Sequence, residues 1–120
     1  MYRTVARLTI IPGHEKEVLE AAQELVESVK EREPDTLIYL VHSPNVANEL
    51  NNPKPSNSEL WTYEVYRNKD AFRAHMTGPS FLGFMARCGD KFVQARDGDK
   101  SIPYILATEL ALESGFIRPE

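Results

Sequence analysis

The chain contains a single cysteine, Cys88, so neither an internal disulfide nor a cysteine-based zinc cluster can staple it. No apolar run approaches the roughly 20 residues needed to cross a bilayer. The opening Met1-Tyr2-Arg3-Thr4 lacks the apolar core of a signal peptide, and the expectation is a cytoplasmic protein with no membrane partner. Positive charge is not in excess either. With 14 basic and 18 acidic residues the net charge is −4, which offers no attraction to a phosphate backbone and speaks against nucleic acid as a partner. Glycines are scattered (Gly13, Gly78, Gly83, Gly89, Gly98, Gly115) and form no phosphate cradle. No His, Asp and Glu cluster stands at ligand spacing, so no metal site is expected. A length of 120 residues suits one hydrophobic core, giving one domain over 1–120 with a loop insertion at 44–58 and a C-terminal tail at 113–120.

What the chain does have is clear periodicity. Residues 3 to 11 alternate, with Ala6, Leu8 and Ile10 on one side and Val5, Arg7, Thr9 and Ile11 on the other, the period of a strand. Pro12-Gly13 ends it. From His14 to Arg32, Val18, Ala22, Leu25 and Val29 recur at helical spacing, and Pro34 closes the helix by pushing its predecessor out of helical geometry. Thr36 to Ser43 reads as a second strand. The three prolines and five asparagines of 44–58 mark a loop. A third strand, Glu59 to Arg67, places Leu60, Thr62, Glu64 and Tyr66 on one face and Trp61, Tyr63 and Val65 on the other. Asn68 is placed to cap a helix over Lys69 to Met76, and Gly78-Pro79 separates it from a further helix bearing Phe81, Phe84, Met85, Cys88 and Phe92. A last strand is expected over Ile102 to Leu112.

The order β-α-β-β-α-α-β is a split βαβ pattern of the ferredoxin-like, α+β kind. Its helices cross over on one side of the sheet, leaving the other face bare. Val5, Ile11, Trp61, Tyr63 and Val65 fall on that bare face, and an apolar patch of this kind is seldom left in water. The simplest cover is the same face of a second subunit, a homodimer that closes two sheets into a barrel.

The run Glu59-Leu60-Trp61-Thr62-Tyr63-Glu64-Val65-Tyr66-Arg67-Asn68-Lys69-Asp70-Ala71-Phe72-Arg73-Ala74-His75 resembles the signature segment of the antibiotic biosynthesis monooxygenase family. There a strand bearing Tyr-Glu-x-Tyr leads into a helix bearing Ala-x-x-x-His. The opening strand with Pro12-Gly13, and Pro79-Ser80-Phe81 with its aromatic helix, are also similar, so the resemblance spans about residues 3 to 112. It implies a dimeric α+β barrel with a pocket between each sheet and its own helices. Family members oxidise phenols or quinols with O2 and no cofactor, degrade heme, isomerise small sugar-derived compounds, or have no known activity; the fold alone does not choose among these. Heme-degrading relatives have a Trp ending the third strand, an Asn in the first and an iron-binding His on the last helix. Aligned on Ala71-Phe72, those positions carry Tyr66, Ala6 and Met85, so the expected iron ligand is missing.

His75 shares an inward helix face with Ala71 and is expected to meet Glu64. A carboxylate beside an imidazole sets its tautomer and makes a general base for a phenolic proton; the same pair also serves as a purely structural lock between helix and strand. Tyr66 and Tyr39 are candidates to donate hydrogen bonds to a bound oxygen atom, or are packing residues with a wet hydroxyl. Phe81, Phe84 and Met85 make an apolar wall suited to an aromatic ligand, and equally a core stripe. Trp61 and Tyr63 read as interface anchors. His14 is expected to be exposed, His42 is undecided, and Cys88 reads as a small core residue.

Three functions follow. The first is a cofactor-independent monooxygenase using O2 on a small aromatic hydroquinone or polyphenol, with His75 and Glu64 catalytic and Tyr66, Tyr39, Phe81, Phe84 and Met85 holding the substrate. The second is a non-catalytic small-molecule binding or sensing dimer. The third is an isomerase of a small hydroxyketone, which the aromatic wall disfavours.

Overall fold

The computed structural model describes residues 1–120. Strand β1 (Tyr2–Thr9) leads through the Pro12-Gly13 turn to helix α1 (Glu15–Arg32), then β2 (Thr36–His42) and β3 (Glu59–Tyr66). Helices α2 (Lys69–Thr77) and α3 (Pro79–Cys88) follow, then β4 (Gln94–Asp97), β5 (Lys100–Pro103) and β6 (Ile105–Glu109). The four-stranded sheet has the order β2-β3-β1-β6, with every neighbouring pair antiparallel. Because β3 lies between β1 and β2, the β1-α1-β2 unit is split, which is the ferredoxin-like arrangement.

Each boundary has a local cause. Gly13 sits at φ 100°, where a side chain is strained, and so permits the turn out of β1. Asn68 accepts a 2.9 Å hydrogen bond from the amide of Ala71 and caps α2, worth about 1 kcal/mol. Gly78 ends α2 and precedes Pro79 at the start of α3; a β-carbon on Gly78 would lie 2.8 Å from the Ala74 carbonyl oxygen, so the close helix-to-helix turn requires glycine. Ser58, closing the long 44–58 loop, donates to Glu15 at the head of α1 at 2.8 Å.

Thr4, Ala6, Leu8 and Ile10 of the first strand segment and Leu60, Thr62, Glu64 and Tyr66 of β3 are buried. They face Val18, Ala22, Leu25 and Val29 of α1 and Phe84 and Cys88 of α3, the inward stripes that the helical spacing predicts. The opposite face is bare: Ile38, Leu40, Trp61 and Leu106 are 41, 48, 36 and 41% exposed. Val65 departs from this pattern, being buried at 3% between its cross-strand neighbours Arg3 and Ile38, and so adds little to the bare apolar surface.

Two expectations need correction. The last strand is not continuous over 102–112: Lys100–Pro103 pairs with Gln94–Asp97 in a separate hairpin, and only Ile105–Glu109 joins the main sheet. The hairpin turns at Asp97-Gly98-Asp99, where Gly98 adopts φ 64°, and the direction changes at Tyr104, whose amide bonds Val93 instead of the sheet. Helix α3 also stops before Phe92. A 3-10 turn over Gly89–Lys91 intervenes, and Phe92 reaches the core, fully buried, from an extended position in which Ile10 is its bridge partner.

Candidate active site

His75 lies in the last turn of α2 with its side chain 1% exposed. Its Nδ1 is 2.7 Å from Glu33 Oε1, and its Nε2 is 3.3 Å from the Tyr39 hydroxyl. An ionised carboxylate only accepts, so Nδ1 carries the proton and a neutral ring presents Nε2 as the acceptor of the Tyr39 O–H. Glu33 follows the end of α1, where a negative charge meets unpaired carbonyls unfavourably; His75 supplies the compensating donor. The Oε2 atom of Glu33 is buried without a partner. Positive charge arriving on the ring would face both the Glu33 carboxylate and the carbonyl end of α2.

Glu64 sits on β3, 7% exposed, and accepts from Thr62 Oγ1 at 2.6 Å and from the Tyr66 hydroxyl in a short hydrogen bond. The tyrosines are held neutral. Burial, followed by the charges of Glu64 and Glu33, pushes the Tyr39 hydroxyl far above its ordinary value, and burial with the Glu64 charge does the same to Tyr66. Four aromatic rings surround the imidazole at close range or one step removed, with Tyr39, Tyr66 and Phe81 centroids 5.1, 5.7 and 5.4 Å from it and Phe72 packed on Tyr66.

Between sheet and helices lies a cavity of about 70 Å³. Glu64, His75, Tyr39, Phe81, Phe84 and Met85 all reach its wall, and most of the remaining lining is apolar. Tyr66 stands behind that wall, bonded to Glu64 but not at the cavity surface. Glu64 and His75 therefore share a cavity, yet no hydrogen bond joins them. Glu64 is engaged by its own strand neighbours Thr62 and Tyr66, and the imidazole turns toward the end of α1. Glu33 was not singled out in the sequence; the available signal was an acid at a helix C-terminus just before Pro34, a position that disfavours negative charge unless something answers it. Outside the cavity a groove of about 670 Å³ runs between α1 and the edge strand β2, and Ala22, Tyr39 and Val41 line both spaces.

The other histidines stand apart. His14 pairs with Glu17 at the surface, and His42 is exposed on the bare sheet face. Burial raises the Cys88 thiol, which is packed in the core. No group of three or more His, Cys, Asp or Glu residues converges in a way that could hold a metal ion, and no helix is long and apolar enough to cross a membrane.

Comparison with known proteins agrees with this architecture. Solved structures from Nitrosomonas europaea (TM-score 0.71, 14% identity, covering 95% of this chain and 100% of that one) and Caulobacter crescentus (TM-score 0.70, 21% identity, 92% and 90%) superpose along nearly the whole chain, and both are named for antibiotic biosynthesis monooxygenases. Rv0793 from Mycobacterium tuberculosis matches with a TM-score of 0.69 at 17% identity, over 95% of this chain and 96% of that one. At these identities the likeness shows the fold. No curated protein matches the sequence. The family model for antibiotic biosynthesis monooxygenase matches residues 1–87, a span that includes the β3-α2 segment carrying Glu64 and His75, and the chain belongs to that family.

Proposed function

We propose that the protein is a cofactor-independent monooxygenase that oxidises a small, one-ring hydroquinone or polyphenol with O2. The observation that carries this reading is the buried chain Glu33–His75–Tyr39 ending at an apolar cavity. Glu33 holds the Nδ1 proton, so Nε2 is the basic atom, and Tyr39 donates to it while keeping a lone pair for a ligand hydroxyl. A phenolic proton can then pass through Tyr39 to His75. The resulting phenolate gives one electron to O2, and the aryl radical and superoxide combine at a ring carbon. Protonation yields a hydroperoxide; loss of the hydrogen on that carbon with cleavage of the O–O bond leaves a carbonyl and releases water. Substrate plus O2 thus gives a quinone plus H2O, with no outside reductant. Apolar walls favour the anion's reaction over its escape. Glu64, held by Thr62 and Tyr66, stands in the same wall.

The cavity limits the substrate. A cavity of roughly 150 Å³ takes up benzene, and the space here is about 70 Å³. A single ring enters only as Met76 and Met85 shift, which their unbranched side chains allow. The groove beside Tyr39, which shares Ala22, Tyr39 and Val41 with the cavity wall, is the proposed entry. The same small volume favours the second reading, a binding or sensing protein in which Glu33–His75 is a structural lock. Oxygen uptake with a panel of one-ring hydroquinones separates the two: stoichiometric O2 consumption with quinone formation is expected, and no uptake above the uncatalysed rate with any member would leave the binding reading in its place.

The functional unit proposed is a homodimer joined through the bare sheet face. Support comes from the exposed Ile38, Leu40, Trp61 and Leu106, an apolar surface with no cover from its own chain.

A further inference from the structure

Beyond β6 the chain keeps an apolar character it does not use. The Leu110 amide donates to the Arg3 carbonyl at 2.8 Å, and after it no hydrogen bond ties the tail to its own sheet. Leu112, Phe116 and Ile117 are 68, 80 and 96% exposed.

Elsewhere on the bare sheet face, the 44–58 loop and the strands beside it enclose a cleft of about 700 Å³. Trp61 and Tyr63 are in its wall, with Arg7 stacked on the Trp61 ring at 5.2 Å and Lys54 also in the lining. The cleft is apolar where the indole lies and carries Arg7 and Lys54 against Glu59; residues 113–120 carry Glu113 and Glu120 against Arg118. The two charge patterns are complementary.

The direction of β6 carries the tail away from its own cleft. Strand β6 runs from Ile105 beside Leu8 to Glu109 beside Thr4, away from the end of the sheet where Arg7, Trp61 and His42 form the cleft. To reach its own cleft the tail would have to reverse and recross the sheet. In a dimer whose two-fold axis runs across the strands, with two bare faces together, the cleft end of one sheet lies over the tail end of the other. Eight extended residues span about 26 Å, enough to run along that cleft.

We infer that residues 113–120 of each copy form an exchanged arm lying in the open-face cleft of a second copy, with Phe116 and Ile117 against Trp61 and Tyr63. The inference rests on the sheet-face dimer proposed above and adds to it a specific occupant for the cleft. It gives the long 44–58 loop a role as the cleft's outer wall. The exposed apolar pair then becomes an anchor, of the kind in which a few buried side chains carry most of the affinity.

Trp61 is the chain's one tryptophan, so its fluorescence reports the cleft directly. The double variant Phe116→Ser, Ile117→Ser is expected to raise the dimer dissociation constant in sedimentation equilibrium at least tenfold. At concentrations that still hold the variant dimer together, Trp61 should become more accessible to acrylamide than in the wild type. A second measurement leaves both anchors in place: Lys54→Cys and Ser114→Cys, made in separate chains and mixed under mild oxidation, should give a disulfide-linked heterodimer, with buried Cys88 unreactive. An unchanged dissociation constant with unchanged Trp61 quenching, or no heterodimer crosslink, overturns the arm while leaving the sheet-face dimer standing. A wild-type monomer at micromolar concentration overturns both.

Discussion

The carboxylate that meets His75 is Glu33, 2.7 Å from Nδ1, and not Glu64 on the neighbouring strand. The two acids of the site thus have separate tasks: Glu33 orients the imidazole, and Glu64 is braced by Thr62 and Tyr66 in the cavity wall. If the site is catalytic, these tasks separate in mutant kinetics.

For His75→Ala, loss of the base should lower kcat/KM for hydroquinone oxidation by about 10²–10⁴-fold, the usual weight of general base catalysis. Glu33→Gln keeps an acceptor for Nδ1 but removes the charge, and should lose less. Oxygen-electrode kinetics alongside circular dichroism melts make the check. Retention of the wild-type rate by a folded His75→Ala protein would show the pair to be a structural lock.

Tyr66→Phe takes one donor from a carboxylate that is 7% exposed. Leaving that oxygen unpaired should cost about 1–3 kcal/mol, read as a lower urea midpoint with an unchanged slope. A loss under about 0.3 kcal/mol would mean that water or Thr62 meets the need, outside the usual range for a buried group.

Alkaline pH tests the tyrosine cluster. Tyr39 and Tyr66 are both raised above the ordinary 10.0, so folding favours their neutral forms. Their contribution to stability is complete below pH 10, where folded and unfolded chains are equally protonated, and is lost as pH rises above it and only the unfolded chain ionises. The unfolding free energy should fall by up to about 1.4 kcal/mol per pH unit for each tyrosine. Two of the five tyrosines should fail to titrate at 295 nm until the protein unfolds. Titration of all five near their ordinary value in the folded protein would contradict the burial of this pair.

On the bare face, Trp61→Ala removes the largest side chain exposed there. The proposed dimer should weaken by on the order of 3 kcal/mol or more, above a hundredfold in dissociation constant. Sedimentation equilibrium decides, and a change of less than threefold would move the interface elsewhere.

Several features of this protein were determined by the sequence alone, because they depend on the order of neighbouring side chains. The alternation of residues 3 to 11 and 59 to 67 sets which face of each strand is buried, and Val18, Ala22, Leu25 and Val29 define the inner stripe of α1. The Tyr-Glu-x-Tyr strand running into Ala-x-x-x-His was legible as the family's segment, and it located Glu64 and His75 on the side of one cavity. Other features belong to the tertiary structure. Glu33 and His75 are 42 residues apart, and the meeting depends on how the end of α1 packs against the last turn of α2, a relation no local spacing encodes. Likewise the 102–112 stretch has the alternation of one strand, but β5 is drawn into a hairpin with β4 and only β6 reaches β1. Periodicity states which side of a segment is apolar; which partner covers that side is settled by packing among segments far apart in the chain, where burying an unpaired polar group or an apolar face costs more than any local preference returns.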